Sequence, residues 1–285
     1  MANRGYKKYM NSEKKTIVIT GASDGIGFAA AKQLKLLGHN VIIVGRNAKK
    51  TKEKAKLINC PYHIADFSNL SQVTALAKEL NNYEKIDVLA NNAGAIFNKR
   101  EITIDGFEKT FQTNVLSSFL LTNLLLEKLI TCNATIINTT SIASNVFSKN
   151  FDVNDLQNER HYTPINAYGE SKLCNVLFTR ELHNRYYQKG LNVVAFEPGI
   201  TRSNFGADGN WFLRLAYHSP LKYLFTISTK KSAKRLVRLA LGDAGNDFFS
   251  GKIYSYKKQY KVKFDNEIIQ RQFYEYCLSK IEGIK

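Results

Sequence analysis

The run Thr16-Ile17-Val18-Ile19-Thr20 leads straight into Gly21-Ala22-Ser23-Asp24-Gly25-Ile26-Gly27. A short β-branched run reads as a buried strand. Beyond the glycines, Ile26, Ala29, Ala30, Leu34 and Leu37 recur at helical spacing and stop at Gly38. Strand, glycine turn and helix in this order constrain the fold more than any other stretch, because they open a strand–helix–strand unit. Glycines let the backbone turn tightly and approach a ligand. The helix start offers unpaired N–H groups and the positive end of its dipole, a setting suited to a pyrophosphate. Gly21, Ser23, Asp24, Gly25, Ile26 and Gly27 are therefore candidate cofactor contacts.

Asn40 to Val44 reads as a second strand. At its end a dinucleotide fold usually carries an acid for the ribose 2′-hydroxyl. Here the residues are Gly45-Arg46-Asn47, with Lys49 and Lys50 close behind. A carboxylate would repel a 2′-phosphate, whereas arginine grips one bidentately. Arg46 thus points to NADP rather than NAD.

The alternation continues. Helix is expected over 49–58 and 70–80, and a third strand over Tyr62 to Asp66, where Asp66 is placed to touch adenine and His63 is a strand residue. A fourth strand, Asp87 to Ala90, ends in Asn91-Asn92-Ala93-Gly94. Residues 107–130 read as one long helical region with Asn114 inside it; asparagine is a weak helix former and an internal one is often merely exposed. Ala134 to Asn138 is the fifth strand, followed by Thr139-Thr140-Ser141, and 142–166 is a polar connection. Asn192 to Phe196 is the sixth strand, ending in Glu197-Pro198-Gly199. This pattern predicts an α/β fold, a Rossmann-type doubly wound parallel sheet flanked by helices. Ligands bind such sheets beyond the strand C-termini, where Asn91, Ala93, Gly94, Ser141, Pro198 and Gly199 all fall.

Tyr168 and Lys172 are four residues apart at the start of a helical pattern running through Leu173, Val176, Leu177, Leu182 and Tyr186. Residues at i and i+4 share a helix face. A phenol is a poor acid–base group near neutrality; a fixed cation beside it favours phenolate and makes proton exchange with a carbonyl or alcohol oxygen practicable.

The 285 residues suffice for one large core, so 14–285 reads as a single domain and 1–13 as a flexible basic N-terminal tail. That tail has no apolar signal-peptide core, Ala2 stands where myristoylation needs glycine, and no run approaches the roughly 18 apolar residues of a membrane span. A cytoplasmic protein is expected. Cys60, Cys132, Cys174 and Cys277 form no C-x-x-C pair and no metal-site spacing, and three of them, in apolar or helical contexts, read as buried thiols. The net charge of +17 suits an anionic cofactor, nucleic acid or an anionic membrane. Its cations are spread along the chain without a helix-turn-helix or zinc finger, so nucleic acid is not the expected partner. Trp211 to Tyr217 and Leu221 to Phe225 mix apolar and basic residues, which fits either peripheral membrane contact or a substrate lid at about 200–230.

Taken in order, Thr20-Gly21-x3-Gly25-Ile26-Gly27, Asn91-Asn92-Ala93-Gly94, Asn114, Ser141, Tyr168 with Lys172, and Pro198-Gly199 resemble the short-chain dehydrogenase/reductase family over about residues 14–260. Asp155-Leu156-Gln157, Ser171 to Leu182 and Ser250-Gly251-Lys252-Ile253-Tyr254 are similar to its retinol dehydrogenase branch. The resemblance implies an NADP-dependent oxidoreductase. Tyr168 would be the general acid in carbonyl reduction, and Lys172 would tune it and hold the nicotinamide ribose. Ser141 would bind the substrate oxygen, and Asn114 would place a relay water. Asn91 and Ala93 would lie near the adenosine. It implies a homodimer or homotetramer by analogy. The aromatic and aliphatic residues of 201–229 argue for a lipophilic aldehyde or ketone, retinoid-, fatty- or steroid-like. The alternative is an NADP-binding regulatory protein on the same fold without turnover. Many members of the branch carry an N-terminal membrane anchor that this sequence does not show.

Overall fold

The computed structural model describes residues 13–146, 151–199, 228–255, 258–262, 264 and 266–284. Nearly all of the expected lid and of the N-terminal tail lie outside the described residues. Among them run β1 (Thr16–Ile19), α1 (Gly25–Leu36), β2 (Asn40–Gly45), α2 (Ala48–Ile58), β3 (Tyr62–Ile64), α3 (Leu70–Asn81) and β4 (Val88–Asn91). Then come α4 (Lys109–Phe111), a π-helical segment (Gln112–Leu116), α5 (Ser117–Leu124), α6 (Leu126–Thr131) and β5 (Thr135–Thr139). The chain continues through α7 (Ala143–Val146), α8 (Pro164–Tyr186), β6 (Asn192–Glu197), α9 (Thr229–Leu241), β7 (Ile253–Ser255), β8 (Lys258–Gln259) and α10 (Glu267–Ile281).

The strands form one sheet in the order β3-β2-β1-β4-β5-β6-β7-β8. β1 is β-branched at every position and fully enclosed, as a central parallel strand must be. All pairings are parallel except β7 with β8, a short antiparallel addition that the expected all-parallel sheet lacked. The order reverses between β1 and β4, which opens the crevice where doubly wound sheets take their ligands. Ile19 pairs with Ala90, Asn91 with Asn138, Thr139 with Phe196, and Glu197 with Ser255. This register brings the ends of β1, β4, β5, β6 and β7 to one edge, so motifs far apart in sequence share a rim.

Two apolar cores fill the two sides of the sheet. One joins α3, α5, α8 and α10 around Phe119, Phe178 and Tyr274. The other joins α1, α2 and α9. The outer face of this second layer is basic. Lys32 and Lys35 lie on α1, five lysines lie on α2 against Glu53 alone, and α9 presents Lys230, Lys231 and Lys234 and carries no acid. No helix among the described residues is long and apolar enough to cross a membrane.

Two expectations need correction. The single helix over 107–130 is broken into α4, the π segment, α5 and α6, and Asn114 is buried inside the π segment rather than exposed. Its amide pairs with the main chain of Ala95, which draws it inward. The polar connection 142–166 contains α7 and the first turn of α8. That helix starts at Pro164, capped by Thr163, whose side chain accepts from Asn166 N–H. Tyr168 therefore sits in the second turn, not at the helix start. Of the cysteines, Cys174 and Cys277 are buried, whereas Cys60 and Cys132 are half-buried.

Candidate active site

The glycine turn is shaped by contacts that allow no side chain. Gly21 and Gly25 have φ of +63° and +57°, the region that favours glycine. A Cβ on Gly27 would lie 2.6 Å from Gly21 O and 2.7 Å from Asn92 Nδ2, so α1 can close on β1 only with glycine there. Thr20 and Asn92 latch this turn to the loop after β4. The Thr20 hydroxyl accepts from Asn92 N and Ala93 N, each at 3.0 Å, and Asn92 Nδ2 donates to Thr20 O at 3.0 Å. Neither residue was among the sequence candidates, although each adjoins one. Asp24 caps α1 by accepting Gly25 N–H at 2.7 Å, and Lys50 pairs with its other oxygen at 2.6 Å. That pairing matters electrostatically. A bare carboxylate at a helix N-terminus would repel a phosphate, and Lys50 offsets it. The donor set, the dipole and the glycine cradle fit a pyrophosphate. Ser23 packs against Gly45 at the end of β2, and Arg46 follows there, exposed to solvent.

Around the expected adenosine end the side chains divide. Asp66 holds its own turn, its Oδ1 accepting Ser68 N at 2.9 Å and Ser68 Oγ at 2.8 Å. Ala93 and Gly94 line the loop beside Gly21. Asn91 turns inward: its amide donates to Thr122 Oγ1 at 3.1 Å and Asn138 Oδ1 at 3.0 Å. Any ligand contact from Asn91 must therefore come from its main chain. Asn138 donates onward to Thr179, and Thr179 to the Asn175 carbonyl, so a buried polar chain runs from β4 through β5 into α8.

The reaction-centre candidates converge on α8. Lys172 is only 2% exposed, and its Nζ lies 5.4 Å from the Tyr168 ring centroid. It donates to Thr139 O at 3.4 Å, an acceptor shared with Asn175 Nδ2 at 3.0 Å. Burial pushes the Lys172 ammonium down to about 8. Glu170, two residues from Tyr168, is pushed up to about 7 by burial, with Asp155 and Asp152 adding to the rise and a hydrogen bond from Asn158 opposing it. Ser141 ends the β5 loop and starts α7, its hydroxyl accepting Ala143 N–H at 3.3 Å; α7 packs on α8. The Asn114 amide donates to Ala95 O at 2.9 Å and Ser171 Oγ at 3.0 Å and accepts Ala95 N–H at 2.7 Å. With both side-chain donors used and Oδ1 accepting Ala95 N–H, a water at Asn114 would meet the remaining Oδ1 lone pair or the main chain. The π segment is marked by Ser117 N–H reaching back five residues to Gln112 O. Gly94 presses on both groups, since a Cβ there would stand 3.1 Å from Lys172 Nζ and 3.2 Å from Asn114 Oδ1.

Pro198 and Gly199 close the rim at the end of β6. Thr140 N–H donates to Phe196 O at 3.0 Å, tying this turn to the Ser141 loop. Their neighbour Glu197 is buried, and nothing in its local sequence marks it out.

The family model described as "short chain dehydrogenase" matches residues 15–210. Human retinol dehydrogenase 13 is 35% identical over 254 residues, 83% of this chain and 76% of that protein. Human polyprenol dehydrogenase is 34% identical over 70% of this chain and 64% of its own length. A solved 3-ketoacyl-(acyl-carrier-protein) reductase from Brucella melitensis, complexed with NADH, superposes with a TM-score of 0.67 at 21% identity, covering 85% of this chain and 96% of that one.

Proposed function

This chain belongs to the short-chain dehydrogenase/reductase family of oxidoreductases, in the retinol dehydrogenase branch, and on that premise we propose that it reduces a lipophilic aldehyde or ketone with NADPH, or runs the reverse oxidation. The observation that carries this reading is the buried Lys172 one helical turn from Tyr168. A cation held in a dry site acts on its neighbour far more strongly than one in water. When bound, the nicotinamide supplies the hydride to the carbonyl carbon. The residues of the chain do the rest. Ser141 donates a hydrogen bond to the substrate oxygen, Tyr168 delivers its proton there, and Lys172 steadies the resulting phenolate. Water held at Asn114 returns the proton. The glycine turn holds the pyrophosphate, and Arg46 takes the 2′-phosphate.

Support for the substrate class comes from the surroundings of the centre. Ile142 and Val146 follow Ser141 in and beside α7, and Ile165 precedes Tyr168 on the same helix; all three are exposed. An apolar molecule would cover them. The basic outer layer of α1, α2 and α9 supports a peripheral contact with anionic lipid.

The test is NADPH-dependent reduction of a panel of carbonyl compounds, comparing decanal- and retinal-like substrates with glyceraldehyde. The long-chain compounds are expected to give the higher kcat/KM, and Tyr168→Phe to cut turnover by about 10²–10⁴ while keeping cofactor binding. Higher efficiency with glyceraldehyde would reject the substrate class alone. Near-normal turnover in the Tyr168 variant would reject the mechanism. Tighter binding of NADH than NADPH, or an Arg46→Asp variant that loses no NADPH affinity, would reject the choice of cofactor.

A further inference from the structure

The turn that ends β6 is held by side chains from three elements. Glu197 Oε1 accepts Gly199 N–H at 2.5 Å, and its Oε2 accepts the Ser255 hydroxyl of β7 at 2.8 Å. Arg235 of α9 donates from Nη1 to the Glu197 carbonyl at 3.0 Å and stands 3.6 Å from Glu197 Oε2. Ser232, one turn earlier on α9, donates to Pro198 O at 2.7 Å. Gly199 itself has φ of +80°. Both charged side chains are almost fully enclosed, at 8% and 10% exposure.

Burying an ion pair costs several kcal/mol of hydration per ion, and apolar residues of the same volume often do as well or better for stability. The pair is therefore poorly explained as packing. What it does fix is geometry. It determines where the turn stands beside the Ser141 loop, and it does so from α9. That helix packs along α1, which starts at the glycine turn. One helix thus keeps in register the two ends of the rim, more than a strand's width apart.

We propose that Glu197 and Arg235 are positioning residues for the nicotinamide half of the cofactor site. This rests on the cofactor reading above. The phosphates belong to the glycine turn and the reacting ring to the Tyr168 centre, so the turn at β6 borders the nicotinamide end. Glu197 fixes the turn there by accepting the Gly199 N–H, Ser232 holds the Pro198 carbonyl, and Arg235 holds Glu197.

The experiment is calorimetric titration with whichever of NADPH and NADH binds the unaltered protein tighter, and with the matching fragment that lacks nicotinamide, 2′-phospho-ADP-ribose or ADP-ribose. Glu197→Gln and Arg235→Met are each expected to weaken the whole cofactor about tenfold, the scale of a modest misplacement. Fragment affinity should stay within about twofold. The double variant should be little weaker than the worse single one, because both break one turn. Arg235→Lys keeps the charge without the fork and should recover part of the loss. An equal fall in fragment affinity, or unchanged binding of the whole cofactor, would overturn the proposal. If the unaltered protein binds neither ligand, the cofactor reading fails and this inference with it; if it binds both and the variants match it, only this inference fails. Should Glu197→Gln not fold, the two Arg235 variants test the same turn from the helix side.

Discussion

Lys172 is held in place against the stability of the fold. Its folded value of about 8 lies below the ordinary 10.5, so the unfolded chain holds more protons between those values. Its contribution to stability is therefore lost as pH falls towards 8 and recovered as pH rises towards 10.5. Glu170 behaves oppositely: raised from 4.5 to about 7, it stabilises the fold at low pH and loses that contribution as pH rises through 7. The two windows leave a trough between them near neutrality. Denaturant titrations across pH should show Glu170→Gln flattening the acid side and Lys172→Met the alkaline side. At pH 7 Lys172→Met should gain on the order of 1–3 kcal/mol, from about 1.4 kcal/mol per pKa unit. The lost donor is not missed, because Asn175 still donates to Thr139 O. The same variant should lose turnover by orders of magnitude, which would place the lysine among residues kept for activity against stability. A less stable Lys172→Met would show that the contacts of the lysine outweigh the cost of burying it. Carbonyl reduction should also decline as pH rises through about 8, where Lys172 loses its proton; a flat kcat/KM profile across that value would separate the lysine from catalysis.

At the level of elements, the helix that carries Tyr168 and Lys172 was legible because both residues and the pattern around them lie within a few turns. So were the strands, whose β-branched runs need no distant partner to be recognised. The π segment was not legible. What inserts it is the pairing of Asn114 with Ala95, 19 residues away, and periodicity along one helix carries no trace of such a contact. The Glu197–Arg235 clamp was hidden for the same reason: its members are 38 residues apart on a strand and a helix. α9 and α10 carry no glycine turn or catalytic motif that marks them, and Ser250–Tyr254 resembled the branch without revealing β7 as a sheet strand. The π segment yields its own prediction. Asn114→Leu keeps the volume but strips the amide from Ala95 and Ser171. It should cost about 1–3 kcal/mol, the penalty for leaving enclosed polar groups unpaired. If the segment positions the relay water, turnover should fall much further than cofactor affinity. Parallel losses in both would mean that Asn114 only supports the cofactor loop.

Among the described residues one helical layer is strongly basic, and this could not be read from the charge total. A net +17 spread along the sequence suggested no patch, yet folding gathers lysines of α1, α2 and α9 onto one layer with Glu53 as the only acid on those helices. Part of this charge lies by the glycine turn, where Lys50 is occupied with Asp24. Lys32, Lys52, Lys56, Lys230 and Lys231 remain exposed beyond it. Leu36 and Leu57, at the C-terminal ends of α1 and α2, are 78% and 65% exposed on the same layer. Cations around exposed leucines match a bilayer better than nucleic acid, because each basic residue gains about 1 kcal/mol near an anionic leaflet and the leucines gain by entering the interface. The protein should therefore sediment with phosphatidylserine-containing vesicles at low salt and not with neutral phosphatidylcholine. The binding should weaken as salt screens the charges. Lys32→Glu with Lys56→Glu should reduce it, and Leu36→Ser with Leu57→Ser should reduce it further without altering turnover of a soluble aldehyde. Binding that survives all four substitutions would move the contact to another surface, and failure to sediment at low salt would remove lipid from the partners of this fold.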